Sequence, residues 1–401
     1  MSNILVIGNG FDLEHEIPSS YKNFLDFTRL IIGNISAFKE NNEVGLRLRN
    51  SVFNELGKIS TSYVNVLNLD GEHITYIHEF YQLTKHNLWI EYFQSCLTIR
   101  ERLGKEFNWI DLEKEISNII KVFSADITLN NKVVSNKIQA QKTMRKTGRE
   151  IPISQIVDAL RKKYEENTVR HDIPSRNDSW NLYKSWMYND FLACIRALEI
   201  YFDKFIDYSK IQPKLKLNEF VFDKVVSFNY TNTPAKCYDS FSVESIEHIH
   251  GFADCKREKT KNNMVLGIDE FLDGNVAEKD IDLVVYRKYF QRIIKKCDFS
   301  YRNFIKEAED GVTTFFFGHS MAASDKDVLL HLLPDTQSFN SEIKSSYIFY
   351  HSQQAYNQQV MNLIDILGHD TLNELVYDGK IHFIEQSNLS ETLDECNLQK
   401  W

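Results

Sequence analysis

At 401 residues the chain is long enough for about two domains, or for one domain carrying a large insertion. A hydrophobic content of 43% with 13% aromatics supplies a packed core, and 26% charged residues suits a surface in water, which excludes a disordered or fibrous chain. A net charge of −9 argues against an overall nucleic-acid coat; with no basic leader and no apolar run of ~18 residues, the expectation is a cytoplasmic protein that does not engage a membrane.

The chain begins Asn3-Ile4-Leu5-Val6-Ile7, then Gly8-Asn9-Gly10-Phe11-Asp12. Four consecutive aliphatics predict a strand buried on both faces, and Gly-Asn-Gly predicts the tight turn that ends it. Gly8 and Gly10 lack a Cβ, so a phosphate or ribose could approach the backbone there. Asn9 and Asp12 fall where the carboxyl end of such a strand faces a ligand crevice. Leu13 stands where the dinucleotide fingerprint has its third glycine, so a plain strand-to-helix turn explains these residues as well as a phosphate turn does.

Pro18, Ser19 and Ser20 predict a helix start, with Tyr21, Phe24 and Leu25 on one face and Tyr21 read as a core aromatic rather than a crevice residue. From about 36 to 214 the pattern is helical. Asp111, Glu113 and Glu115 follow Trp109, but the i, i+2 spacing puts Asp111 and Glu113 on different helical faces; no acid-base pair is predicted and the segment reads as structural. Lys132, Lys137, Lys142, Arg145, Lys146 and Arg149 make residues 131–150 basic without interleaved aromatics, which reads as a solvated insertion rather than a phosphate grip. An apolar helix around Trp180, Tyr183, Trp186, Met187, Phe191 and Leu192 closes the helical region.

Strand patterns return at 221–228, 245–250, 313–317, 346–350 and 381–384, with a helix at 353–367. Strands alternating with helices predict a mostly parallel sheet covered on both faces. Because strand 3–7 must join it, the expected architecture is a Rossmann-like α/β core from residues 1–35 and 215–401, with 36–214 a helical insertion. Six scattered cysteines without a Cys-X-X-Cys pair predict reduced thiols and no structural zinc.

Four strand ends carry polar groups: Asn9 and Asp12; Asn229 with Tyr230; His248 and His250 before Gly251; and Gly318-His319-Ser320 with Asp325 beyond. In a parallel sheet these ends share one edge, so the groups converge without closeness in sequence. Asn229 suits a sugar hydroxyl or an oriented water, and His250 suits proton transfer near neutrality. Two residues apart in a strand, His248 and His250 are expected on one face. No histidine spacing is diagnostic of a metal site, and no metal is predicted.

These motifs together resemble the AbiH family of bacterial phage abortive-infection proteins. The resemblance rests on Ile-Gly-Asn-Gly-Phe-Asp-Leu, Pro18-Ser19-Ser20-Tyr21, Asn-Trp-Ile-Asp-Leu-Glu at 108–113, Ser-Phe-Asn-Tyr-Thr-Asn-Thr at 227–233, His-Ile-His-Gly and Phe-Gly-His-Ser, in that order along nearly the whole chain. Glu16 departs from the pattern, where the family usually has Gly. More distantly, the set is similar to the sirtuin-like NAD-binding domains of other phage-defence proteins. That similarity implies Asn229 and His250 as catalytic residues, and Gly8, Gly10, Gly318, Ser320 and Asp325 as nucleotide contacts; Asn9, Asp12 and Tyr230, at the same strand ends, are expected to join them. Thr231 stands where those relatives often carry Asp. The implied chemistry is hydrolysis of NAD, as substrate, to nicotinamide and ADP-ribose. A phage-derived activator and a homo-oligomer would both be compatible with the role. Two other classes compete: a nucleotide-binding sensor without turnover, and a nucleic-acid-cleaving effector, ranked last because the sequence has no clear acidic metal cluster.

Overall fold

The computed structural model describes residues 2–39, 43–102, 104, 112–120, 176–258, 261–268, 281–297, 299–334, 342–396 and 398. Among these, six strands form one sheet: β1 (Ser2–Ile7), β2 (Lys224–Ser227), β3 (Ile246–His248), β4 (Val312–Phe317), β5 (Ile343–Tyr350) and β6 (Ile381–Glu385). Every pairing is parallel and the order is β3-β2-β1-β4-β5-β6. β1 is therefore central, and the order reverses between it and β4, the switch point at which open α/β sheets hold ligands.

Alternation along each strand sends side chains to both faces, and both are covered. Ile4, Val6, Val226, Phe316 and Ile348 pack with Tyr301 and Ile305 of α11 (Ser300–Glu307), Val328 and Leu329 of α12 (Lys326–Leu332), Leu363 of α13 (Gln353–Leu367) and Leu375 of α14 (His369–Tyr377). Leu5, Ile7, Val225, Phe315 and Phe317 pack on the opposite side with Phe11 of α1 (Asn9–Glu14), Tyr238 and Leu393 of α15 (Leu389–Glu395). A strand buried on two faces has no polar alternation, which is why β1 and β4 read as unbroken apolar runs.

All six strands lie within or beside their predicted windows, but two are shorter than predicted. β2 starts at Lys224, where Asp223 Oδ2 accepts the Asn3 N–H at 2.7 Å and closes the ladder with β1. β3 ends at His248 because the chain turns at Gly251 (φ 68°), whose N–H bonds the His248 carbonyl at 3.1 Å.

Between β1 and β2 the chain is helical: α2 (Tyr21–Gly33), α3 (Glu43–Ile59), α4 (Gly71–Thr84), α5 (Leu88–Arg102), α6 (112–120) and α7 (Arg176–Lys204). Ser20 caps α2 by accepting the Asn23 N–H at 3.2 Å, as the Pro-Ser-Ser signal predicts. Tyr21 is fully buried against Phe24 and Phe93, a core aromatic. These helices share an apolar cluster that also takes in Cys255, Met264, Leu266 and Tyr286. The basic residues at 131–150 and the stretch 108–111 lie outside the described residues. None of the six cysteines is in a disulfide. Among the described residues no helix is long and apolar enough to cross a membrane.

Glu16 has φ 58°, a left-handed conformation that glycine adopts without cost. The expected family glycine at this position thus has a backbone reason, and this chain holds the same turn with a glutamate ion-paired to Lys214.

Candidate functional site

A cavity of about 520 Å³ runs along the carboxyl edge of the sheet, within the range of small-molecule sites. All ten residues singled out from the sequence line it: Gly8, Asn9, Gly10, Asp12, Asn229, Tyr230, His250, Gly318, Ser320 and Asp325. His319, noted beside Gly318 in the sequence, is in the lining too, and so, unforeseen from the sequence, are Glu113, Lys288 and the α13 residues Gln354, Gln358 and Gln359.

The glycines are first explained by backbone packing. A Cβ on Gly8 would lie 2.7 Å from the Gly318 carbonyl oxygen, and one on Gly10 would lie 2.7 Å from Gly318 Cα. Gly318 itself has φ 66°, and a Cβ there would lie 2.3 Å from the Phe11 nitrogen. The turns after β1 and β4 are interlocked, tied by the Gly10 N–H to the Gly318 carbonyl at 2.9 Å.

On this frame the β1 and β2 turns exchange hydrogen bonds. Asn229 donates from Nδ2 to the Gly8 carbonyl at 2.9 Å, and Asn9 Oδ1 accepts from Ser19 Oγ at 2.7 Å. Asp12 is buried and does not cap α1, because its two oxygens accept from Thr231 Oγ1 and Thr233 Oγ1, each at 2.6 Å. Burial pushes the Asp12 carboxyl up to about 6, against those hydroxyls, which favour the ionised form. Tyr230 gives its hydroxyl to the Val265 carbonyl at 2.6 Å, so its ring rather than its oxygen forms the wall. Ser320 sits exposed at the rim, its carbonyl held by Asn362 Nδ2 at 2.8 Å.

The most charged part of the wall is a buried chain. Glu113, from α6, accepts from Lys288 Nζ at 2.7 Å; Lys288, which opens α10 (Lys288–Ile294), also donates to Asp325 Oδ1 at 2.9 Å; His250 Nε2 meets the same oxygen at 3.0 Å. His319 Nε2 lies 3.8 Å from the other Asp325 oxygen. Burial alone would raise the Asp325 carboxyl, but Lys288 and His250 outweigh it and hold Asp325 well below the usual range. Lys288 is raised despite burial because two carboxylates face it, whereas burial raises Glu113 against the pull of Lys288. His250 is pushed down to about 4, first by burial and then by Lys288, and burial likewise lowers His319 to about 4. Both imidazoles are therefore neutral at pH 7.

The ionised Asp325 can only accept, so His250 Nε2 carries the proton and Nδ1 keeps a bare lone pair. Among the described residues no group bonds that Nδ1. Asp325 is thus turned to protein groups, and it orients an imidazole whose other nitrogen is left for a donor. Met321 N–H donates to His319 Nδ1 at 3.0 Å, so that nitrogen is already used, while Nε2 stands 3.8 Å from Asp325.

Contrary to the strand-spacing expectation, His248 does not share the wall with His250. β3 ends at His248, which bonds the Asn229 carbonyl through Nδ1 at 3.1 Å and packs on Phe252. Among the described residues no group of three or more His, Cys, Asp or Glu is placed to hold a metal ion. Glu113, read from the sequence as structural, reaches the cavity; Glu115 does not, accepting instead from Tyr92 at 2.6 Å.

No curated protein and no solved structure matches the chain. The family model described as bacteriophage abortive infection AbiH matches residues 4–348, which carry β1 through β4, the paired turns, His250 and Asp325, and the chain belongs to that family.

Proposed function

We propose that the protein acts in phage abortive infection by hydrolysing NAD to nicotinamide and ADP-ribose. The observation that carries this reading is the buried His250, with its tautomer set by Asp325 and its Nδ1 lone pair unpartnered by protein. The cavity lies at the switch point of a parallel sheet with Asn229 at the end of the neighbouring strand, which supports a bent nucleotide laid across the strand ends. In the reaction the bond between ribose C1′ and the nicotinamide nitrogen breaks, and its electron pair neutralises the pyridinium ring. Water forms the new bond to C1′, and its proton passes to His250 Nδ1. Asn229, anchored to the Gly8 carbonyl, orients that water and the ribose. Loss of cellular NAD would halt phage growth together with the host.

The test is nicotinamide release by purified protein, with and without lysate of phage-infected cells, beside Asn229→Ala and His250→Ala variants shown to be folded. Turnover should fall about 10²–10⁴-fold in each variant, the usual worth of a positioned base or orienting group. Parent protein that leaves NAD intact under both conditions would sink the proposal and favour a nucleotide sensor.

The pH profile is a second check. A base must be neutral, and His250 stays neutral down to about 4, so turnover should hold through pH 6 and fall only near pH 4 to 5. Asp12, at about 6, is controlled for with Asp12→Asn. An acid limb near 6.5 in both proteins, the value of a free imidazole, would mean that His250 is not the base.

A further inference from the structure

Gln359, a residue of the cavity lining, keeps a buried acceptor that no group among the described residues uses. The residue is buried on α13, within the apolar packing of that helix on the sheet, and it lines the same cavity. Its Nε2 donates to the His319 carbonyl at 3.0 Å and to the Phe349 carbonyl at 3.2 Å. Only an NH₂ group can serve two carbonyl oxygens, so the amide orientation is fixed and Oε1 is the atom left over. Among the described residues no donor reaches Oε1. Buried polar atoms without a partner are rare, and one in a cavity wall implies a donor from outside the chain.

The surrounding charges narrow what that donor can be. His250, also in the lining, likewise has a buried acceptor, Nδ1, without a partner among the described residues. The lining's ammonium, Lys288, is already held by Glu113 and Asp325, and Asp12 adds a further carboxyl. A carboxylate or phosphate pressed against this wall would meet oxygen and lone pairs; a neutral N–H donor would complete it.

We infer that Gln359 is a specificity-determining residue whose Oε1 accepts a hydrogen bond from an amide or exocyclic amino group of the bound ligand, and that the cavity rejects analogues bearing oxygen at that point. This rests on the reading of the cavity as a nicotinamide-dinucleotide site, which offers two such groups, the nicotinamide carboxamide and the adenine amine.

The experiment is calorimetric titration of the intact parent protein in the cold, with NAD, nicotinic acid adenine dinucleotide and nicotinamide hypoxanthine dinucleotide. The first analogue replaces the carboxamide by a carboxylate, and the second replaces the adenine amine by an oxo group. One of the two should bind about tenfold or more weakly than NAD, because it leaves Oε1 unpaired or facing another oxygen. In Gln359→Met, with folding verified by circular dichroism, that discrimination should collapse to within about threefold. NAD binding with both analogues equally tight overturns the inference and leaves the nucleotide reading standing, as it would if a water completed Oε1. Discrimination that persists in folded Gln359→Met also overturns it, since the donor is then read elsewhere. No binding of NAD at all overturns the nucleotide reading and the inference with it. Should Gln359→Met not fold, Gln359→Asn, which keeps the amide one methylene short, takes its place, and the parent's analogue series still decides.

Discussion

Lys288→Met is expected to destabilise the protein by about 3–5 kcal/mol, because it leaves Glu113 and Asp325 buried beside each other without the cation between them. The ammonium is 2.7 Å from one carboxylate and 2.9 Å from the other, and each of the three groups is largely out of water. Removal of a surface partner would cost a fraction of this. The loss should depend on pH with a definite sign. Without Lys288 the Asp325 carboxyl is no longer held down, and His250 is freed from a cation that lowers it, so the variant's native state takes up protons that the parent's does not. The deficit is then largest above neutrality and shrinks as pH falls toward 5. Urea midpoints at two pH values, with the slope checked for constancy, measure it. Glu113→Gln combined with Lys288→Met should recover part of the loss, and a double variant worse than the single one would show that the chain is not coupled as drawn.

Gly318→Ala is expected to be at least as damaging, about 3–5 kcal/mol or loss of soluble protein. The new methyl would sit 2.3 Å from the Phe11 nitrogen and 2.5 Å from the Gly10 carbonyl carbon, and both are backbone atoms that cannot rotate away. The residue would also have to hold φ 66°, a strain of roughly 1–2 kcal/mol for any L side chain. Gly104 separates the two contributions. Its φ is 64°, close to that of Gly318, but a Cβ there meets nothing within 4 Å, so Gly104→Ala should show the backbone strain alone. Equal shifts of melting temperature in the two variants would mean that the interlock of the turns contributes little.

The strands were legible because burial on both sheet faces forces contiguous apolar residues, as in Ile4–Ile7 and Phe315–Phe317. The polar set of the site was legible for a related reason: a polar residue just after an apolar run stands at a strand's end, and parallel strands share that edge. What escaped are residues contributed by helices. Lys288 lies at a helix start beside Arg287, and nothing local distinguishes a lysine held by two buried carboxylates from a solvated one. Glu113 and Gln359 occupy helix positions whose direction is set by tertiary packing, within the helical cluster for α6 and on the sheet for α13, not by their neighbours in sequence. His248 failed in the other way, since a period of two holds only while the strand lasts, and β3 stops there. The positive φ of Glu16 was foreshadowed by the family's glycine, but a single glutamate carries no mark of it.

The central position of β1 bears on the order in which the protein can be made. Its neighbours are β2, beginning at Lys224, and β4, ending at Phe317, so β1 waits about 310 residues of synthesis for its second partner. At bacterial elongation rates that is roughly 15–60 s. The helices between β1 and β2 have most of their partners nearby in sequence and can assemble during that interval. The cavity cannot: Gly318 and Asp325 are translated after all of its earlier walls. Under the proposed NAD hydrolysis the nascent chain would stay inert through most of its synthesis, because the pocket is completed only by the last third of the polypeptide.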